Sequence, residues 1–221
     1  MSELRVAPSI LSADFARLGE QVAGVMEAGA RVIHVDVMDG HFVPPITIGA
    51  LIVESLRDQV HDAGGWLDVH LMVDRPERHI DAFAEAGADS INLHQEATPH
   101  VNYALNQVKD AGCQAGLAIT PATPVEMVRE VTDVVDIVLC MTVNPGWGGQ
   151  EFIGASIEKI GRLREAIGPD VALEVDGGID TDTAGPCADA GTRLFVAGSA
   201  VFGAPDPPGA YRALVAAAGA T

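Results

Sequence analysis

Pairs of ionisable residues, drawn from histidine and carboxylate, recur at two-residue spacing in three short apolar stretches. RVIHVDVM (31–38) carries His34 and Asp36, WLDVHLMV (66–73) carries Asp68 and His70, and ALEVD (172–176) carries Glu174 and Asp176. Alternate side chains of an extended strand share a face, so each pair points one way, with Met38 following the first and Met72 the second. A charge taken out of water must be paired or bound to a metal. Two histidines and two carboxylates at the ends of three strands make a divalent-cation set, of a kind that suits zinc, iron(II), manganese or cobalt. Taken singly, any one of them is more often a hydrogen-bonded core residue. The repetition is what favours a site. Asp68, Glu174 and His94 admit both roles, as partners that orient ligands or as satisfied core.

Glycine supplies the second element. NPGWGGQ (144–150), DGGI (176–179) and AGSAVFG (197–203) each follow an apolar run. Gly146, Gly148 and Gly149 let main-chain N–H groups come close to a ligand, as do Gly177 and Gly178. Gly198 and Ser199 stand where a short helix would start, a common phosphate position in α/β barrels. Met38, Met72 and Met141 fall at strand ends, either as barrel core or as a polarizable wall beside a reacting carbon. Phe42 and Trp147 are loop aromatics placed to close over a substrate, whereas His41, His61, His79 and His100 read as solvated.

These residues need elements to hold them. A phrase recurs in EAGARVIHV (27–35), EAGADSINL (85–93), DAGCQAGLA (110–118) and DAGTRLFVA (189–197). Each reads as a helix ended by a glycine with positive φ, a short turn, and a strand. Thr123 and Pro124 read as the N-cap and first residue of another helix. Eight strands are expected near Arg5–Pro8, Val32–Val37, Trp66–Leu71, Ser90–Leu93, Gln114–Ile119, Ile137–Met141, Ala172–Val175 and Arg193–Val196. With helical patterns between them, the chain is expected to form one α/β domain over residues 1–221, a (β/α)8 TIM barrel. Such barrels carry their chemistry at the carboxyl ends of strands, where the polar residues above fall. A doubly wound sheet is the rival. It lacks support from any G-x-G-x-x-G after the first strand or G-x-x-x-x-G-K-[ST] anywhere.

The 221 residues carry a formal charge of −18 and only two lysines, Lys109 and Lys159. That excludes a nucleic-acid surface, which needs a basic footprint. It also repels anions at long range, so any anion site must be built from local dipoles. A high-salt cytoplasm would account for such acidity. Three cysteines without metal-ligand spacing fit a reducing cytoplasm. The short apolar runs of the N-terminus predict neither a leader nor a membrane span.

The motifs APSILSADF (7–15), HVDVMDGHFVP (34–44), DVHLMV (68–73), MTVNPGWGGQ (141–150), EVDGGI (174–179) and VAGSAVF (196–202) resemble the ribulose-phosphate 3-epimerase family end to end, in order and spacing. The resemblance implies a barrel of the ribulose-phosphate-binding type that interconverts D-ribulose 5-phosphate and D-xylulose 5-phosphate in the pentose phosphate pathway. It implies one divalent ion, zinc before iron(II), manganese or cobalt, on His34, Asp36, His70 and Asp176, with Asp36 and Asp176 as the acid–base pair. Substrate contacts would fall on Ser9 and His70, with phosphate at Gly146–Gly149, Gly177–Gly178 and Gly198–Ser199. Family members are often homo-oligomers. Trp147 replaces the family's usual phenylalanine and Pro45 its usual asparagine, while LHQEA (93–97) keeps its His-x-Glu-Ala. An epimerase for a six-carbon ketose phosphate is the nearest rival. Related decarboxylases and lyases carry D-x-K-x-x-D on strand 3, where this chain has Asp68, His70 and Val73. A barrel that only binds would need no opposed acid and base.

Overall fold

The computed structural model describes residues 4–220. The four Ala-Gly phrases do what their sequence predicts: Gly29, Gly87, Gly112 and Gly191 end helices with φ of 117°, 107°, 86° and 110°, a region closed to most side chains. Each hands the chain to a strand. The strands are β1 (Arg5–Pro8), β2 (Val32–Met38), β3 (Trp66–Met72), β4 (Ser90–His94), β5 (Gln114–Ile119), β6 (Ile137–Met141), β7 (Ala172–Asp176) and β8 (Leu194–Ala197). Helices α1 (Leu18–Glu27), α2 (Ala50–Asp62), α3 (Ile80–Ala86), α4 (Val101–Asp110), α5 (Glu126–Arg129), α6 (Ser156–Ile167), α7 (Ala184–Asp189), α8 (Ser199–Phe202) and α9 (Pro207–Ala218) lie between and after them.

All pairings are parallel, in the order β1-β8-β7-β6-β5-β4-β3-β2. The last gap, between β1 and β2, is spanned by a parallel bridge from Ser9 to His34. The result is a (β/α)8 barrel whose seam runs under the polar cluster. Outward side chains such as Val35, Val69, Ile91 and Leu117 pack against the helices, each buried aliphatic contributing roughly 1.5–3 kcal/mol of transfer free energy. Inside the ring the apolar groups are fewer. Ala7, Val32, Leu194 and Val196 form one inner cluster and Ala118, Leu139, Met141 and Val143 another.

The strands differ from expectation mainly at their carboxyl ends. β2, β3, β4 and β7 each run one residue further, through Met38, Met72, His94 and Asp176. The ladder continues there because neighbours pair, Met38 with Met72, His94 with Ala118 and Asp176 with Met141. β8 is shifted by one residue. Thr123 caps no helix: its hydroxyl bonds the Glu96 carboxylate instead, and α5 starts at Glu126. No helix among the described residues is long and apolar enough to cross a membrane.

Candidate active site

Register assembles the cluster. Pairing of β2 with β3 sets His34 opposite Asp68 and Asp36 opposite His70, so two-residue alternation on each strand yields two cross-strand His–Asp pairs inside the ring. His34 Nδ1 lies 2.6 Å from Asp68 Oδ2. Ser90 and Asn92 also donate to that carboxylate, the latter at 2.9 Å. Asp36 accepts a hydrogen bond of 2.5 Å from the Ser9 hydroxyl across the seam, and its other oxygen lies 3.0 Å from His70 Nδ1. Asp176 comes in from β7, 3.7 Å from the same nitrogen. His34, Asp68, His70, His94 and Glu174 are wholly buried, while the Asp176 side chain is 17% exposed.

A second line of contacts leads outward from His70. Its Nε2 is 2.9 Å from His94 Nε2, and His94 Nδ1 is 3.1 Å from Glu96 Oε2. Glu96 stands at the surface on the turn after β4. Its other oxygen accepts from the Thr120 N–H at 2.9 Å and from the Thr123 hydroxyl. The Phe42 ring lies over His94, with centroids 4.8 Å apart.

The electrostatics of this interior are lopsided. Burial raises Asp36, but the charge and hydrogen bond of His34, with His70 beside it, hold it well below the usual carboxylate range. Burial and the Asp36 charge push Asp176 up to about 7. Burial and the Asp68 charge raise Glu174 far above the ordinary range. Burial takes His70 down to about 4. On Glu96, hydrogen bonds from His94, Thr123 and Thr120 overcome burial and hold it at about 2. Among the described residues, Asp36, Asp68, Glu174 and Asp176 have histidines, and no lysine or arginine, as ion-pair partners.

That deficit is a test of whether the donor set fits a cation. One donor atom each from His34, Asp36, His70 and Asp176 lies within 4.8 Å of all the others. His34 Nε2 is buried with no hydrogen-bond partner and lies 3.3 Å from Asp36 Oδ1. Burial opposes a charge on His34, but the Asp36 charge and the Asp36, Asp68 and Glu174 carboxylates raise it well above the usual imidazole range, so this nitrogen sits where positive charge is favoured. A divalent cation supplies that charge in place of the proton, and the mixed imidazole–carboxylate set suits a first-row ion. The residues fit.

Above the cluster a pocket opens at the carboxyl ends of the strands. Ser9, Asp36, Met38, Met72, Met141, Gly146, Trp147, Gly148, Gly149, Asp176, Gly177, Gly178, Gly198 and Ser199 all line it. His34 and His70 do not; they lie beneath its floor. Met38 and Met72 also pack with Val43 under the 39–45 loop, and Met141 belongs to the inner core as well. Gly177, with φ of 119°, has no room for a side chain, since a Cβ would come 2.4 Å from Val143. Thr142 holds this turn by donating its hydroxyl to the Asp176 and Gly177 carbonyls, at 2.9 and 2.5 Å.

Comparison with known proteins decides the family. The model of the "Ribulose-phosphate 3 epimerase family" matches residues 5–202. A ribulose-phosphate 3-epimerase of Bacillus subtilis is 51% identical over 207 residues, covering 92% of this chain and 94% of that one. One of Serratia marcescens is 49% identical over 209 residues, covering 93% and 99%. The chain belongs to the ribulose-phosphate 3-epimerase family. As a member of an epimerase family it is an enzyme, and every residue of the cluster and pocket lies inside the matched span. Among solved structures, KGPDC from Streptococcus mutans superposes with a TM-score of 0.73 at 17% identity, covering 98% of both chains; that likeness is one of fold.

Two residues at this cluster and pocket carry no local sequence signal for their place. Ser12 lines the pocket, and its Oγ would lie 2.8 Å from a Cβ on Gly198. It stands inside APSILSADF, but nothing local marks it. Glu96 was visible within LHQEA, yet only the structure brings it to His94 and to the turn after β5. The four loop and helix histidines, His41, His61, His79 and His100, are exposed as expected.

Proposed function

We propose that this enzyme inverts C3 of D-ribulose 5-phosphate to give D-xylulose 5-phosphate, and the reverse, by proton transfer between two carboxylates. The observation that carries the reading is geometric: Asp36 and Asp176 both line the one pocket and both face His70 Nδ1, at 3.0 and 3.7 Å. Asp36 on β2 and Asp176 on β7 approach the pocket from strands with β1 and β8 between them. The ionised carboxylate removes the C3 proton, the C–H electron pair moves into the C2–C3 bond, and the C2 carbonyl becomes an enediolate oxyanion. The protonated carboxyl returns a proton to C3 from the opposite face, and the two exchange roles in the reverse direction. Ser9 steadies Asp36 through its short hydrogen bond.

His34 Nε2, Asp36, His70 Nδ1 and Asp176 would hold one divalent ion, zinc first among the candidates. When bound, it supplies positive charge against the developing oxyanion. The glycines at 146–149, 177–178 and 198, with Ser199, present main-chain donors to the phosphate, and Trp147 covers it. Met38, Met72 and Met141 wall the reacting carbon. The same reading makes the chain a cytoplasmic homo-oligomer, as three buried free cysteines and the exposed Ile46 and Leu51 support.

Turnover of D-ribulose 5-phosphate in D2O tests the chemistry. The expected product is D-xylulose 5-phosphate carrying deuterium at C3. Turnover without label at C3 would exclude proton abstraction there. Faster turnover of a six-carbon ketose phosphate would reassign the substrate.

A further inference from the structure

We propose that Glu96 and His94 are positioning residues that set the tautomer of His70, leaving its Nδ1 unprotonated and open to a cation. The inference rests on the cation site proposed above.

The argument is one of proton bookkeeping along a chain of three groups. His70 and His94 face each other through Nε2 atoms 2.9 Å apart, so one must donate and the other accept. His94 Nδ1 faces Glu96 Oε2 at 3.1 Å. An ionised carboxylate only accepts, so the His94 proton sits on Nδ1 and its Nε2 is a lone pair. His70 must then donate from Nε2, and its Nδ1 is left bare, facing Asp36 and Asp176. Asp36 pulls the other way, because a carboxylate 3.0 Å from Nδ1 favours a proton there. Glu96, acting through His94, opposes that pull. The arm is held in place: Glu96 Oε1 is fixed by the Thr120 N–H and the Thr123 hydroxyl, and Phe42 covers the His94 ring.

The geometry makes Glu96→Gln an inverting substitution. The Thr120 N–H can only donate, so the glutamine oxygen must take the Oε1 position. The amide NH2 then faces His94 Nδ1 and donates to it. His94 carries its proton on Nε2 and gives that hydrogen bond to His70, which is left with its proton on Nδ1, toward the cluster. Glu96→Ala removes the carboxylate without installing a donor.

The test is Zn2+ affinity of the metal-free protein, measured by competition with a chromophoric chelator, for wild type, E96Q and E96A. Histidine 15N NMR of the same metal-free proteins reads the ring tautomers directly. E96Q is expected to weaken Zn2+ by roughly 10–100-fold, and E96A by less, with the His70 proton moved from Nε2 to Nδ1 in E96Q alone. A merely structural Glu96 predicts the opposite order, since alanine loses every hydrogen bond that near-isosteric glutamine can keep. That order, equal affinities, or unchanged tautomers in E96Q would overturn the proposal. A wild-type protein that takes up no Zn2+ would overturn the cation site instead, whereas the tautomer comparison would still decide the arm.

Discussion

Asp36 and Asp176 are one side chain in two surroundings, and the difference is electrostatic. Asp36 sits between two imidazoles and under the Ser9 hydroxyl; Asp176 meets the Asp36 charge with little to offset it. Replacing either with asparagine keeps shape and removes proton transfer, so kcat should fall at least about 100-fold in D36N and in D176N, with near-UV circular dichroism unchanged. Near-normal turnover in either variant would remove that residue from the mechanism. A pH prediction follows from the same shifts. In the metal-free protein the Asp176 carboxyl is raised from 3.8 to about 7, so the stability it contributes is full below 3.8 and is lost as pH rises toward 7. Glu174 is raised and acts in the same direction. A cation prefers the ionised ligands and displaces the proton, so its stabilisation grows over that window. The gap in Tm between Zn2+-saturated and metal-free protein should therefore widen from pH 5.5 to pH 8. A constant gap would show that these carboxylates do not hold the ion.

At the scale of elements, the loops after the strands place what the strands point. Two glycine substitutions separate backbone strain from lack of space. Gly149 has φ of 73° and nothing within 4 Å of an added Cβ, whereas at Gly177 the Cβ meets Val143 at 2.4 Å with φ of 119°. Gly149→Ala should cost only the conformational term, about 1–2 kcal/mol, while Gly177→Ala adds a clash, displaces Asp176 and lowers kcat as well. Thermal melts beside steady-state kinetics read both, and equal costs would show that Val143 gives way. The glycine-ended helices, the alternating strands and the His–Asp pairs were legible in the sequence because each rests on local periodicity or on a backbone angle only glycine adopts readily. Glu96 and Thr123 were not, because their contact joins turns 27 residues apart and no local pattern encodes it. The carboxyl ends of β2, β3, β4 and β7 were set one residue short for a related reason. Cross-strand pairing, rather than apolar composition, carries those ladders on.

The whole molecule carries −18 yet is proposed to take a phosphate dianion into a pocket whose lining contains no lysine or arginine. Recognition then depends on main-chain dipoles at short range, and the approach is uphill. Because the screening length falls from about 30 Å at 0.01 M salt to about 8 Å at 0.15 M, added KCl should raise kcat/KM about two- to five-fold over that range, leaving kcat unchanged. A fall with salt would point to a positive field at the mouth that the lining does not suggest. The seam between β1 and β2 has its own consequence, which is one of time. β1 is the first strand made, but among the described residues its ladder partner is β8, the last, and its backbone bridge to β2 comes from Ser9, just past its end. On a ribosome adding 5–20 residues per second, His34 and Asp36 therefore wait roughly 10–30 s for the strand that shuts the ring. Until then Ser9 lacks its main-chain hydrogen bond to Ala197, so a nascent chain released before β8 carries most of the site's residues and an open, unbraced site.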